Sequence, residues 1–211
     1  METLVLYGHP DSSNALKIRF LLAELGLAYE DRRVPLTHLR PAEYVSMTVL
    51  GRIPALVEGD LVLTESHAIL RYLARRERSP LYPATDPDRA RVDEFLDRFL
   101  AHLRPALARH ENAALGRTPV GATSVRAPAT RDPDAARRIE REIRAALEQL
   151  DTLVRPEGAV LGRFTIADCA IAPALHRTVR TGLDLAAYPN LWRLRSHLLG
   201  RPAWRVAGPS L

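Results

Sequence analysis

Cysteine is nearly absent: Cys169 is the only one in 211 residues, so an intrachain disulfide and a cysteine-built metal site are both excluded. A reducing compartment fits that usage. Long apolar runs are missing too, with nothing near the ~18 consecutive apolar residues of a membrane span. The opening METLVLYGHP has neither a basic leader nor an apolar signal core. The expectation is a cytoplasmic protein with no membrane partner. Lysine is scarce, and nearly all of the positive charge is arginine. Although the net charge is +5, acidic residues are interspersed with the basic ones, as in DPDRARVDEFLDRF and IEREIRAALEQLD. That is the pattern of solvated helix faces, not of a basic nucleic-acid groove, so no nucleic-acid partner is expected. His102 and His110 lack neighbours at metal-ligand spacing, and no metal is expected.

What remains is an ordinary globular composition, 46% hydrophobic and 26% charged. The chain is long for one small domain and suits two units of unequal size. Leu4 to Tyr7 is a short apolar run ended by Gly8, His9 and Pro10, which reads as a buried strand entering a loop. Asp11, Ser12, Ser13 and Asn14 all suit a helix N-cap, and Leu16, Phe20, Leu21 and Leu25 recur with helical spacing up to Gly26. Tyr29 to Val34 predicts an exposed strand, and residues 35–49 predict irregular structure with a short helix. Ala55 to Val57 and Leu61 to Leu63, split by Glu58, Gly59 and Asp60, predict a β-hairpin. Thr64, Glu65 and Ser66 then open a periodic helix through Leu73.

The turn-rich SPLYPATDPD marks a linker over residues 79–87. Beyond it every long segment is helical: Val92 to Asn112, Asp134 to Val154, Ile166 to Thr181 and Leu191 to Leu199. GRTPVGATSVRAPATRDP, residues 116–133, predicts a loop between the first two. The expected division is therefore 1–78, an α/β domain, and 88–211, an all-α helical bundle.

The order β, α, β, hairpin, helix is the thioredoxin-like arrangement, with Pro54 where the first hairpin strand begins. LGRIPALVEGDLVLTESHAILRYLARR, residues 50–76, resembles the glutathione-site signature of the cytosolic-type glutathione transferase family. YGHPDSSNALKIR, residues 7–19, resembles the serine-type branch of that family found in bacterial members, with Ser12 in the position of the active hydroxyl. GRFTIADCAIAPAL, residues 162–175, resembles the family's capping box, with Thr165 as N-cap and a buried, structural Asp168.

The resemblance implies glutathione as co-substrate. Pro54 would be cis, turning the backbone of Ile53 outward to pair with the cysteinyl unit as one extended peptide pairs with another. Glu65 and Ser66 would hold the γ-glutamyl ammonium and carboxylate at a helix N-terminus. Arg52 would grip the glycyl carboxylate; His38 either reaches the same group or is a solvent-exposed loop histidine. Ser12 would donate to the sulfur, with Ser13 and Asn14 as auxiliary donors. A free thiol has a pKa near ~8.5, so keeping it ionised at neutral pH takes about 1.4 to 3 kcal/mol of stabilisation.

Each polar group also has a plainer reading: Ser12, Ser13 and Asn14 as caps of the first helix, Thr64 or Ser66 as a cap of the third, and Tyr7 as a rival hydroxyl donor. Thr48 and Val49 stand where the family commonly has Asn-Pro. The activity implied is conjugation of glutathione thiolate to a small, largely apolar electrophile by a homodimer. The alternatives are a glutathione-dependent isomerase of the maleylacetoacetate type, whose SSC start is matched here only as SSN, and a non-catalytic binding module of the same fold.

Overall fold

The computed structural model describes residues 2–36, 40–116 and 133–208. His38 and the segment 117–132 lie outside them. The chain divides into two compact units, residues 1–89 together with 200–211, and residues 90–199.

In the first unit, β1 (Leu4–Gly8) leads through a tight loop into α1 (Ser13–Glu24) and then β2 (Glu30–Arg33). After α2 (Ala42–Thr48) come β3 (Ala55–Glu58), β4 (Leu61–Thr64) and α3 (Ser66–Arg76). The sheet order is β2-β1-β3-β4, with β2 parallel to β1 and the β3–β4 hairpin antiparallel. This is the thioredoxin-like fold. Every residue of β2 is exposed and charged, which suits its place at the sheet edge, where charge discourages pairing with another chain.

Helix α1 is buried well beyond the apolar positions that mark its helical spacing. All eight residues from Ala15 to Leu22 are buried, including Lys17 and Arg19. A helix hydrophobic or covered on all sides is a core helix, and the cover comes partly from the far end of the chain. Residues 200–208, expected in the helical domain, fold instead into the first unit as α9 (Pro202–Ala207). Trp204 and Phe20 meet edge to face with ring centroids 5.1 Å apart, and Arg201 forms two bonds to the Glu24 carboxylate at 2.5 and 2.8 Å.

The second unit is all-helical: the remainder of α4 (Asp86–Arg98), α5 (Arg104–Ala114), α6 (Pro133–Leu153), α7 (Ile166–Thr181) and α8 (Pro189–Gly200). The single helix predicted over Val92 to Asn112 is interrupted by a π-helical turn at Phe99–Leu103. Pro105 is the cause: in an unbroken α-helix its ring would strike the carbonyl of Ala101, four residues back, and its missing N–H would leave that carbonyl without a donor.

Helix α7 begins at the expected capping box. Thr165 N–H donates to Asp168 Oδ2 at 2.8 Å and Ala167 N–H to Thr165 Oγ1 at 3.2 Å, while Val160 N–H, from the preceding loop, reaches Asp168 Oδ1 at 2.8 Å. Asp168 is fully buried, and burial pushes its carboxyl up to about 6 against the pull of these donors. Among the described residues, no helix is long and apolar enough to cross a membrane.

Candidate active site

Strand register gathers the sequence motifs at one end of the sheet. Tyr7, near the end of β1, pairs with Ala55, the first residue of β3, and Ala55 pairs with Thr64, the last of β4. The loop carrying Ser12, the Ile53–Pro54 step and the Glu65–Ser66 pair therefore leave the sheet from the same edge, although they span more than fifty positions of sequence. The Ile53–Pro54 peptide is cis.

Ser12 is the N-cap of α1. Its N–H donates to the His9 carbonyl at 2.9 Å and its Oγ accepts from Ala15 N–H at 3.2 Å. Capping occupies a lone pair of the hydroxyl and leaves its proton available, so the capping reading and the donor reading of Ser12 are compatible. Ser13 begins the helix beside it, and both are half-buried. Asn14 Oδ1 is buried without a hydrogen-bond partner.

The loop is held from below. Asp11 N–H donates to His9 Nδ1 at 3.1 Å, and Arg33 Nη2 lies 3.1 Å from His9 Nε2. Burial and then the Arg33 guanidinium hold the imidazole below its ordinary pKa. Gly8 is required here, since a Cβ on it would lie 2.8 Å from Ala15 Cβ.

Glu65 has φ +66 and ψ 110, a conformation that costs a non-glycine residue about 1–3 kcal/mol and that recurs at ligand sites. It is the N-cap of α3 by position but makes no side-chain cap bond, which leaves the first-turn N–H groups of that helix to another acceptor. Ser66, immediately after it, is buried. Arg52 is exposed just ahead of β3, and its carbonyl accepts from Tyr44 OH at 2.6 Å. Ile53 packs with Val34, Tyr44 and Ala55.

Tyr7, the rival hydroxyl, accepts at its OH from Arg32 Nη1 of the edge strand at 2.7 Å, a bond that leaves the phenolic proton available as the cap does at Ser12. Lys17, singled out by no motif, belongs to this region. Its Nζ lies 3.2 Å from His67 Nε2 and 3.5 Å from Ser66 Oγ. The signal that could have revealed it is the chain's only lysine, set in a helical stretch whose other residues from Ala15 to Leu22, Arg19 apart, are apolar. Among the described residues, no group of three or more His, Cys, Asp or Glu side chains could hold a metal ion.

A polar helix N-cap, a cis proline and a helix start without a side-chain cap bond thus converge at one end of a thioredoxin-like sheet. Residues 2–75 match the family described as Glutathione S-transferase, N-terminal domain, and residues 133–211 match Glutathione S-transferase, C-terminal domain. Glutathione S-transferase 3 of Zea mays is 33% identical, the alignment covering 97% of this chain and 93% of that one. Glutathione S-transferase GstB of Escherichia coli (strain K12) is 32% identical over 96% of each. The chain belongs to the glutathione S-transferase family. The solved structure of glutathione S-transferase III in its apo form superposes with a TM-score of 0.77 at 28% identity, covering 99% of this chain and 98% of that one. Ure2p in complex with glutathione gives 0.80 at 23% identity over 98% of each, a likeness of fold.

Proposed function

We propose that the protein is a glutathione transferase that ionises the thiol of glutathione and directs it at a small, largely apolar electrophile. The supporting observation is the uncapped, strained start of α3 at the same sheet edge as the Ser12 hydroxyl. In this reading the γ-glutamyl carboxylate lies against the α3 N-terminus and Ser66, and Glu65 takes the ammonium. The backbone of Ile53, next to Pro54, pairs with the cysteinyl unit, and Arg52 holds the glycyl carboxylate, with His38 as a second candidate for it. Ser12 donates its hydroxyl proton to the sulfur and lowers the thiol pKa, while Ser13 and Asn14 assist. No general base is required, because the thiol proton can leave to water once the thiolate is stabilised. The working protein is a cytoplasmic homodimer.

Calorimetric titration with reduced glutathione, followed by a conjugation assay with a generic aromatic halide, tests this. Binding with turnover supports the transferase. Binding without turnover favours a second reading, a glutathione-dependent isomerase, supported by the 27% identity over 99% of this chain to a probable maleylacetoacetate isomerase of Vibrio cholerae. Absence of binding leaves a non-catalytic module.

A further inference from the structure

Lys17 is the only lysine in the chain; every other side chain counted with it as Lys or Arg is arginine. It is also among the most deeply buried side chains, 1% exposed in the middle of α1. An ammonium is strongly hydrated, and taking it out of water costs several kcal/mol unless its surroundings compensate. Its surroundings include the first two residues of α3, Ser66 and His67. A helix N-terminus carries the positive end of the helix dipole, so an anion in front of α3 would meet the dipole and the Lys17 ammonium together.

The hydrogen-bond directions agree with that arrangement. An ammonium has three donors and no acceptor. His67 Nε2 must then accept, which selects the neutral Nδ1–H tautomer, and Ser66 Oγ must also accept. With that lone pair engaged, the Ser66 hydroxyl proton is left for a group outside the core. Arginine could not be substituted without loss, since its planar fork cannot bring one donor centre to both the hydroxyl and the ring nitrogen in a packed space.

We propose that Lys17 is a positioning residue of the γ-glutamyl subsite: it orients the Ser66 hydroxyl toward the ligand's α-carboxylate and supplies a buried positive charge behind the α3 N-terminus. The inference rests on the glutathione reading given above. Lys17→Met replaces the ammonium with an unbranched apolar chain of similar length, and thermal melting checks that the variant is folded. Reduced glutathione and its analogue lacking the γ-glutamyl α-carboxylate are then titrated into both proteins by calorimetry. Glutathione is expected to bind the variant about tenfold more weakly, the effect of one hydrogen bond to a charged group, while affinity for the analogue changes by less than about twofold. Equal losses for both ligands would mean that Lys17 acts only in packing, and would overturn the proposal while leaving the glutathione reading intact. If the wild-type protein binds neither ligand, both fall.

Should Lys17→Met fail to fold, the unaltered protein supplies the answer. Labelled with lysine carrying ¹³C at Cε alone, it gives a single side-chain signal in NMR. Glutathione should shift that signal and the analogue should not, whereas equal shifts or none would refute the role.

Discussion

At Ser12 one oxygen accepts from Ala15 N–H and still has a proton to give. Ser12→Ala should therefore do two separable things. Loss of the cap lowers stability by about 1 kcal/mol in urea unfolding. Loss of the donor raises the pKa of bound glutathione thiol by one to two units and slows conjugation roughly 10- to 100-fold, with little change in glutathione affinity; ultraviolet titration of the thiolate and steady-state kinetics read both. Ser66→Ala should show the opposite split, weakening glutathione binding with less effect on the thiol. Asp168 offers a test unconnected with catalysis. Its folded pKa of about 6 lies above the ~3.9 of an unfolded aspartate. Between those values the folded state holds a proton that the unfolded state lacks, so this contribution to stability is present near pH 4 and is lost as pH rises to about 6, up to about 3 kcal/mol. Asp168→Asn should abolish that slope. It should also be about 1–3 kcal/mol less stable at pH 7, because a carboxamide cannot accept from all of Val160 N–H, Thr165 N–H and the Thr165 hydroxyl.

Elements hold these residues in place, and α1 is the central one. Gly8→Ala would bring Cβ within 2.8 Å of Ala15 Cβ, neither of which can swing away as a flexible side chain could. The expected result is a loss of about 1–3 kcal/mol and, because the loop to Ser12 must shift, a fall in kcat for conjugation. On the opposite side α9 closes over the helix. Trp204→Ala removes the ring that meets Phe20 and should destabilise the protein by about 3–5 kcal/mol, measured by thermal unfolding. The capping box of α7 and the start of α1 were legible in sequence because caps are local, set by residues within a few positions of one another. The π turn was less so, since Pro105 announces a fault in the helix without saying whether the chain will bend, break or widen.

For the whole molecule, sedimentation equilibrium should return twice the 23.5 kDa chain mass if the protein works as the homodimer proposed. Sequence alone determined a good deal at this scale. Hydrophobic period separated an α/β beginning from a helical remainder, and residues 50–76 carried the family likeness because a strand, a turn and a helix start are encoded contiguously there. Tertiary structure decided what is made from distant pieces. Glu24 and Arg201 stand 177 positions apart, yet their pairing helps to bring α9 onto α1, which is a core helix. Lys17 lies far in sequence from Ser66, and nothing local in either motif predicts their approach. Spacing in sequence reports on neighbours along one helix or strand; only the folded sheet, which brings the ends of β1, β3 and β4 to one edge, shows which polar groups share a site.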